Sequence, residues 1–367
     1  MLDNFGKFFL PGPTEVRREV LDAMSRQVIG HRGAELSDLL ADASPRLGRV
    51  FGTTRPVYIS TSSATGLMEG GVRNGVRSRA LSLVNGAFSA RFRDLVVDCG
   101  RECETYEVSW GEAHDPTVVE ERLVAGEFDA VTAVHSETST GVLNPVPEIS
   151  AAVRRAEVRT GREILVLIDG VTSVAAMEVE ADGWGVDWFL TGSQKALALP
   201  PGLAFGTPSE RMLARAATIP GRGQYFDLLE FDRYWRKNQT PTTPAVNLLY
   251  SLLVQLRHID EEGMAARAER HWSMARRCWE WVAAEGQRWD LSVLAPEDRR
   301  SPTVTTIRLP ERVTGPEVAG RLKRRGWVIG AGYGKLKDST IRIGHMGDHT
   351  LDGLEALLVV LAEELDR

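Results

Sequence analysis

The two neighbouring stretches EILVLID (163–169) and VDWFLTGSQKAL (186–197) decide the fold. Each contains a short, almost continuous apolar run, and each run leads into a polar turn. Runs of this kind are typical of strands that are buried on both faces of a parallel sheet. The same pattern recurs outward from them between residues 56 and 208, with amphipathic stretches of helical spacing in between. The chain is therefore predicted to have an α/β fold with a mostly parallel sheet between layers of helices.

Beyond this sheet region the pattern of the chain changes. Residues 244–285 are predicted to be helical, and their tryptophans together with Cys278 are interpreted as core packing. Three short strands follow within 302–347, with helices at 314–325 and 350–365, which predicts a smaller C-terminal α/β domain. The strands predicted in the first region are PVYIST (56–61), ALSLVNG (80–86), FDAVTAVH (128–135), EILVLID (163–169), VDWFLT (186–191) and LAFGTP (203–208).

Composition and charge narrow the class of protein. The chain of 367 residues has a net charge of -6 and no apolar run long enough to span a bilayer, so neither a nucleic-acid nor a membrane partner is expected. Its start lacks the basic and long apolar regions of a signal peptide. The 3 cysteines are sparse and not in metal-ligand spacing, so a reducing compartment and no metal site are expected. We therefore expect a cytoplasmic enzyme or binding protein.

Three strand ends carry groups that suit one ligand. Ser62–Gly66 follows a strand and precedes a helix, where hydroxyls, backbone N–H groups and the helix dipole bind anions. Asp169 ends so apolar a strand that its charge needs a positive or hydrogen-bonding partner. Lys195, among apolar neighbours, is a residue whose neutral amine forms Schiff bases with carbonyls. Each feature alone also fits a helix cap, a loop-capping acid or a solvated lysine. Together they match a phosphate, a pyridine nitrogen and an aldehyde.

Four motifs make the sequence recognisable: LPGPTEV (10–16), HSETSTGVLNP (135–145), LIDGVTS (167–173) and TGSQKAL (191–197). With these motifs in this order, the chain resembles the class V aminotransferases of fold type I. The resemblance covers almost the whole chain. It is closest to the branch that contains the alanine–glyoxylate and serine–glyoxylate (serine–pyruvate) aminotransferases.

This resemblance implies an architecture, a cofactor and a reaction. The large domain, residues 15–250, would bind pyridoxal 5'-phosphate on a mostly parallel, seven-stranded type of sheet. Residues 1–14 and 251–367 would form the small domain. The reaction implied is ping-pong transamination from a small amino acid, alanine or serine, to a small 2-oxo acid, glyoxylate or pyruvate.

The resemblance also implies roles for single residues. Lys195 would bind the cofactor covalently and shuttle the substrate's Cα proton, and Asp169 would pair with the pyridine nitrogen. Phe88 would stack on the cofactor ring, Thr138 would approach the ring hydroxyl, and Arg342 would bind the substrate carboxylate as a bidentate fork.

The phosphate end has a further set of implied contacts. Thr240 and Thr243 match a segment that reaches the phosphate of the other subunit, which implies a homodimer with the site at its interface. Many relatives have glycines where this chain has Ser62 and Ala64, so the backbone contacts there are expected to differ. The residues placed at the chain's own phosphate are Ser63, Ala64, Thr65 and Gln194.

Several alternatives remain open at this point. A different donor, such as phosphoserine, an aminophosphonate or another amino acid, would need other groups in the substrate pocket, and Arg222 is a candidate second charge. A cysteine desulfurase-like lyase needs a cysteine on a late mobile loop, whereas the last cysteine, Cys278, lies in a helical run. A catalytically inert sensor needs an added output module, and a dinucleotide-binding protein needs a G-x-G-x-x-G turn that TSSATG does not provide. The roles of His31 and Tyr225 stay undecided.

Overall fold

The computed structural model describes residues 5–367, so the first four residues of the predicted segment 1–14 lie outside the described part. Two main sheets and one short two-stranded sheet organise the chain. In this part of the chain no helix combines the length and the apolar character needed to cross a membrane. The strands are β1 (Phe8–Phe9), β2 (Tyr58–Ser60), β3 (Arg79–Val84), β4 (Glu102–Glu107), β5 (Ala130–Val134), β6 (Ser136–Glu137), β7 (Val142–Leu143), β8 (Leu165–Asp169), β9 (Trp188–Gly192), β10 (Ala204–Pro208), β11 (Ser292–Val293), β12 (Val304–Arg308), β13 (Val328–Ala331) and β14 (Thr340–Gly344).

Helices cover the sheets and connect their strands. Helices lie in the connections from β3 to β4, from β4 to β5 and from β5 to β8, whereas a stretch of turns joins β8 to its parallel neighbour β9. The helices are α1 (Arg18–Asp22), α2 (Ala34–Phe51), α3 (Ala64–Gly75), α4 (Ala87–Asp98), α5 (Pro116–Ala125), α6 (Val146–Thr160), α7 (Glu210–Thr218), α8 (Leu228–Trp235), α9 (Val246–Glu262), α10 (Met264–Ala284), α11 (Gly315–Arg324) and α12 (Leu351–Leu365).

The large sheet has seven strands in the order β2-β10-β9-β8-β5-β3-β4, which confirms the predicted fold class. β3, β4, β5, β8 and β9 pair in parallel, whereas β10 runs antiparallel to both β2 and β9. The reversal has a local cause, because the connection 193–203 is shorter than the crossover of about a dozen residues or more that parallel pairing needs. All residues of β5, β8, β9 and β10 are buried, as their apolar runs predict.

The edge strand β4 was not among the predicted strands. Its sequence, ECETYE, is rich in acids, and each of its residues is exposed or half-buried. A strand at the edge of a sheet needs no continuous apolar run, because one side of it meets solvent. Among the strands of the large sheet, β4 was therefore the one missed, because it is the least buried and so has the weakest apolar pattern in the sequence.

The small sheet joins the N-terminal segment to the C-terminal strands in the order β1-β13-β14-β12-β11. β1 pairs in parallel with β13, and the other pairs are antiparallel. Cys278 and Trp281 of α10 are buried in its core, as interpreted from the sequence, whereas Trp272 and Trp279 are half-buried. The predicted division into residues 15–250 and a small domain remains a prediction, and its later boundary lies inside α9.

Candidate active site

The predicted acid and lysine meet at the carboxyl edge of the large sheet. β8 ends at Asp169, and the adjacent parallel strand β9 ends three residues before Lys195. Both side chains are buried, with Asp169 4% exposed and Lys195 7% exposed. The third predicted strand end leads into α3, whose first residue is Ala64. Ligands on open α/β sheets bind at this edge, where the loops after the strands converge.

Lys195 is buried, with charged side chains close enough to affect its amine. Burial is the main cause that lowers the pKa of its amine to about 8, and the positive charge of Arg342 lowers it further. Its Nζ donates a hydrogen bond to the carbonyl oxygen of Pro11. A Cβ on Gly12 would lie 2.5–2.6 Å from the last three atoms of the lysine side chain, so this close approach requires a glycine. A lowered pKa increases the neutral, nucleophilic fraction of the amine near neutral pH.

Asp169 is a buried acid whose ionisation depends on a partner. Burial is the largest effect and raises the pKa of Asp169 to about 7. The backbone N–H of Val171 donates to its Oδ1 at 2.7 Å and opposes this rise, whereas the negative charge of Glu137 adds to it. A positively charged group placed against this carboxyl would keep it ionised at neutral pH.

Arg342 projects from β14 of the small sheet towards the same region. Its Nε donates to the carbonyl of Ala331 at 3.0 Å, and its Nη1 donates to the carbonyl of Thr138 at 3.3 Å. Burial lowers the pKa of Arg342 to about 10, although the neighbouring Tyr333 and Glu137 favour its charge. The two bonds fix the plane of the guanidinium and leave N–H groups that can grip a carboxylate.

An aromatic wall borders the lysine. The Nζ of Lys195 lies 5.8 Å from the ring centroid of Phe88, the second residue of α4. The Tyr333 ring stacks on Phe88 at 5.3 Å, and the Cζ of Arg342 lies 5.4 Å from the centroid of Tyr333. Arg91 lies over Phe88 at 5.1 Å and donates to the Tyr333 hydroxyl at 3.3 Å. The sequence analysis identified Phe88 but neither Tyr333 nor Arg91, because no motif marks them.

Glu137 is a further residue that the sequence analysis did not single out. It is 0% exposed, and its carboxylate accepts from the backbone N–H groups of Phe88 and Ser89 at 3.3 and 2.9 Å. The hydroxyls of Ser89 and Ser139 also donate to it, at 2.9 and 2.6 Å. The carboxylate therefore caps the N-terminus of α4 and fixes the backbone of Phe88. In the sequence, the only sign of this role was that Glu137 is the single acidic residue within the motif HSETSTG.

The residues predicted at the ring hydroxyl and phosphate lie around the start of α3 and the β6–β7 hairpin. The hydroxyl of buried Thr138 forms a 2.5 Å hydrogen bond with that of Thr172. Ser63 precedes the first turn of α3 and uses no side-chain oxygen to cap it. A Cβ on Gly192 would lie 2.7 Å from Gln194 Oε1 and 3.3 Å from Ala64 Cβ, so this glycine lets the two residues approach. Thr65 is half-buried in the first turn of the helix.

Of the two predicted threonines, Thr240 is buried and Thr243 is exposed. The Thr240 hydroxyl donates to the carbonyl of Thr242 at 2.8 Å. Their segment packs against the end of β2, where the N–H of Ala245 donates to the Thr61 hydroxyl at 3.0 Å. Within residues 5–367, neither threonine hydroxyl is bonded to a group around Lys195.

The residues left undecided by the sequence have local roles in the structure. Arg222 forms an ion pair with Asp227 at 3.1 Å and donates to backbone carbonyls, so its charge is used within its own loop. Tyr225 donates to the carbonyl of Thr61 at 2.9 Å, and His31 is half-buried in a turn before α2.

Cys278 is buried in α10, and burial raises the pKa of its thiol to about 12, so it is not the nucleophile that a desulfurase requires.

Comparison with known proteins agrees with this geometry. Residues 94–344 match the family model described as aminotransferase class V. The chain belongs to the class V aminotransferases. This aminotransferase is 37% identical over 359 residues to an uncharacterised aminotransferase of Methanocaldococcus jannaschii, covering 96% of this chain and 90% of the relative. It is 32% identical over 370 residues to a serine–glyoxylate aminotransferase of Methylorubrum extorquens, covering 97% of this chain and 90% of that relative.

A solved aminotransferase structure has the same fold as this chain. The crystal structure of an aspartate aminotransferase of subgroup IV from Thermus thermophilus superposes with a TM-score of 0.88 at 29% identity, covering 98% of this chain and 99% of that one. The predicted fold type I and the predicted dependence on pyridoxal phosphate are thereby confirmed. The class V aminotransferase is an enzyme that transfers amino groups.

Proposed function

We propose that this aminotransferase transfers the amino group of alanine or serine to glyoxylate or pyruvate by a ping-pong mechanism. The observation that carries the proposal is the buried amine of Lys195, with Asp169 on the adjacent strand and Arg342 close enough to lower its pKa. Arg342 is held by two backbone carbonyls and offers one fork for one α-carboxylate. The aromatic wall of Phe88 and Tyr333 narrows the space beside it, which favours small side chains. The serine–glyoxylate relative supports the same substrate class.

The side chains fit pyridoxal 5'-phosphate group by group. The amine of Lys195 suits its aldehyde, and Asp169 suits the protonated ring nitrogen because a cation offsets the cost of its burial. Phe88 would cover the ring face, and Thr138 would meet the ring hydroxyl. Gly12 leaves room for the Lys195 side chain and Gly192 leaves room for Gln194, since a Cβ at either glycine would clash with that neighbour. The phosphate would be held by Ser63, Ala64, Thr65 and Gln194.

The reaction then depends on where this chain holds and moves protons. Arg342 binds the α-carboxylate and orients the Cα–H bond towards Lys195. The amine of Lys195 would remove that proton as a general base and hold it for return as a general acid. When bound, the cofactor supplies an electron sink for the negative charge that develops at Cα, and Asp169 strengthens it. Phe88 and Tyr333 limit the access of water.

The active unit that we propose is a homodimer in the cytoplasm. Thr243 is exposed in a segment that packs beside the end of β2, whereas Thr240 is buried, so Thr243 is the threonine available to a second copy. Each segment would complete the phosphate site of the other subunit. The sparse cysteines, which are free thiols in residues 5–367, support a reducing compartment.

Aspartate is a second candidate donor. The guanidinium of Arg91 lies at the aromatic wall and donates to the Tyr333 hydroxyl rather than to a carboxylate. It is therefore available to bind a side-chain carboxylate. The related Thermus thermophilus structure is named an aspartate aminotransferase, which supports this candidate.

A half-reaction assay tests the proposal. The cofactor-loaded protein is incubated with alanine, serine, aspartate or phosphoserine, each without an acceptor, and conversion of the cofactor to its amino form is followed by absorbance. We expect rapid conversion with alanine or serine, and with aspartate if Arg91 binds a second carboxylate. Conversion by phosphoserine alone, or by bulky amino acids alone, would show that the substrate class is wrong. Arg91→Met should slow only aspartate.

A further inference from the structure

Arg267 of α10 is a buried arginine that contacts the backbone next to Lys195. It is 1% exposed, and its Nη2 donates to the carbonyl of Ala196 at 2.6 Å. Its Nε donates to the carbonyl of Ala175 at 2.8 Å, in the segment that follows Asp169. One guanidinium therefore bonds to both segments that leave the catalytic edge of the large sheet. An arginine suits this position because its planar fork of N–H groups has a fixed geometry.

Residues 193–197 form the turn that carries Lys195, called here the lysine turn. Thr14 holds this turn from the side opposite to Arg267. The N–H of Thr14 donates to the carbonyl of Gln194 at 3.0 Å, and its hydroxyl donates to the carbonyl of Lys195 at 2.9 Å. Together with Arg267, donors from outside the turn thus bind three consecutive carbonyls, at residues 194, 195 and 196. Such a set of bonds restricts the position and direction of the lysine side chain.

The backbone on both segments is of a kind that needs outside support. Ala175 has a φ of 68° and Ala198 has a φ of 51°, in the left-handed region that residues with a Cβ rarely adopt. Conformations of this kind persist only where the surrounding structure imposes them, and they cluster at active sites. Arg267 bonds directly to the carbonyl of Ala175 and to that of Ala196, two residues before Ala198.

Asp348, in the segment that follows the small-sheet strand β14, forms an ion pair with Arg267. Its Oδ1 lies 3.0 Å from Nη1 of Arg267, and its Oδ2 lies 2.7 Å from Nε of Arg17. Although burial opposes its ionisation, these two arginines lower the pKa of Asp348 to about 2, so it stays charged. Asp348 follows β14, the strand that carries Arg342. The ion pair therefore joins the lysine turn to the strand that we propose to bind the substrate.

We propose that Arg267, held by Asp348, is a positioning residue for Lys195. It fixes the turn so that the amine meets the cofactor aldehyde and then the substrate Cα. The inference rests on the proposed function for its catalytic consequence, but not for the alignment of the amine. Lysine at this position would keep a charge for Asp348 but could not bond to both carbonyls at once. A displacement of the reacting group by about 1 Å costs on the order of 10²-fold in rate.

The test compares Arg267→Lys and Asp348→Asn with Arg270→Lys as the matched control. Arg270 lies on the same helix, shares the partner Glu262, and donates to the carbonyls of Gly347 and His349 at 3.1 and 2.6 Å. Its bonds do not involve the lysine turn. Each variant is assayed for kcat and KM and for thermal stability. Each cofactor-free variant is also mixed with pyridoxal phosphate, and the rate of covalent capture at Lys195 is measured by borohydride trapping and peptide mass analysis.

We expect Arg267→Lys to lower kcat by about 10²-fold and Asp348→Asn by about tenfold, with little change in KM. Covalent capture at Lys195 should slow in the same order. Arg270→Lys should lose stability without a comparable loss of kcat or capture rate.

The proposal is wrong if Arg267→Lys folds and keeps the wild-type kcat and capture rate, or if Arg270→Lys loses as much of both. If Arg267→Lys does not fold, Asp348→Asn decides, and a wild-type capture rate in that variant would overturn the inference. If the wild-type protein captures the cofactor but does not transaminate small amino acids, the proposed function fails, while the capture rates still decide the role of Arg267.

Discussion

The two ends of the proposed cofactor site are built differently. At the chemical end, Asp169 and Lys195 are buried beside adjacent parallel strands, and bonds from several elements hold the lysine turn. At the phosphate end, Ser63 and Thr243 are exposed. A single chain thus encloses the two groups that we propose for the chemistry, whereas the proposed phosphate end is exposed to solvent or to a packing partner. Substitutions at the first end should abolish the reaction, and those at the second should only weaken cofactor binding.

The largest effect is expected from Lys195→Ala. Without the amine there is no nucleophile for the aldehyde and no base for the Cα proton, so kcat should fall by at least about 10⁴-fold. The variant should still bind pyridoxal phosphate, because the other contacts remain. Steady-state kinetics and equilibrium dialysis measure the two properties. Lys335→Ala is the matched control, because Lys335 is exposed, with its Nζ 4.4 Å from the centroid of the Trp110 ring, and its loss should leave kcat unchanged. Turnover by Lys195→Ala at the wild-type rate would contradict the site.

Asp169→Asn should have the next largest effect. The amide keeps the size of the side chain and can accept from the N–H of Val171, but it cannot stabilise a protonated ring nitrogen. We expect kcat to fall by about 10²-fold, the usual size of a lost electrostatic contribution in an active site. Stopped-flow measurement of the half-reaction separates this loss from any change in binding. A variant that binds the cofactor and reacts at the wild-type rate would remove Asp169 from the chemistry.

The same substitution should change the pH dependence of stability in the cofactor-free protein. Because burial raises the pKa of Asp169 from 3.8 to about 7, the folded state binds this proton more tightly than the unfolded state does. The contribution of this group is fully present below about pH 4 and is lost as pH rises to about 7, by a few kcal/mol. Asp169→Asn should remove that loss. Urea unfolding of both proteins at pH 4 and pH 7.5 measures the difference, and parallel pH profiles would contradict it.

Glu137→Gln tests how the chemical end is supported. The two side chains have the same shape, but the amide NH₂ would face the backbone N–H groups at the start of α4, two donors against each other. We expect the free energy of unfolding to fall by about 1–3 kcal/mol, with weaker cofactor binding because Phe88 loses its fixed position. Ser139→Ala is the comparison, since it removes one hydroxyl donor to the same carboxylate and the acceptor of the Ala87 N–H, but leaves the N–H groups of Phe88 and Ser89 paired with the charge. An equal loss in both variants would mean that the charge at the helix N-terminus does not matter.

The sequence predicted the chemical end better than its support. Asp169 and Lys195 could be found because each follows a continuous apolar strand, and chain order alone places such groups at one edge of a parallel sheet. Glu137 and Arg267 could not be found in this way, because their partners are backbone groups of segments far away in the chain. Pro11 and Gly12 lie in a recognised motif, yet only the fold shows that they contact Lys195.

The same reasoning applies to the sheets. The buried strands of the large sheet were predicted because nearly all their residues are apolar or small, whereas β4 was missed because its acids face solvent at the edge. The antiparallel direction of β10 had a signal, the shortness of the connection 193–203, but a strand's direction follows from its connection and not from its own residues.

The smallest effect is expected at the phosphate end, from Thr243→Val. Loss of one hydroxyl contact to the phosphate should weaken cofactor binding by about 1 kcal/mol, or about fivefold in Kd, with kcat unchanged at saturation. Thr242→Val, at another exposed position of the same segment, is the control. Fluorescence titration of the cofactor-free proteins measures the three values of Kd.

A mixing experiment then decides which chain Thr243 serves. Thr243→Val chains are refolded together with Lys195→Ala chains, and the hybrid is isolated by affinity tags. If Thr243 reaches the partner's phosphate, the hybrid site that contains Lys195 receives an unchanged threonine from the Lys195→Ala chain. Its Kd for the cofactor should therefore return to the wild-type value. If the threonine served its own chain, that site would keep the fivefold weaker Kd, and the open phosphate end would have to be completed by something other than a second subunit.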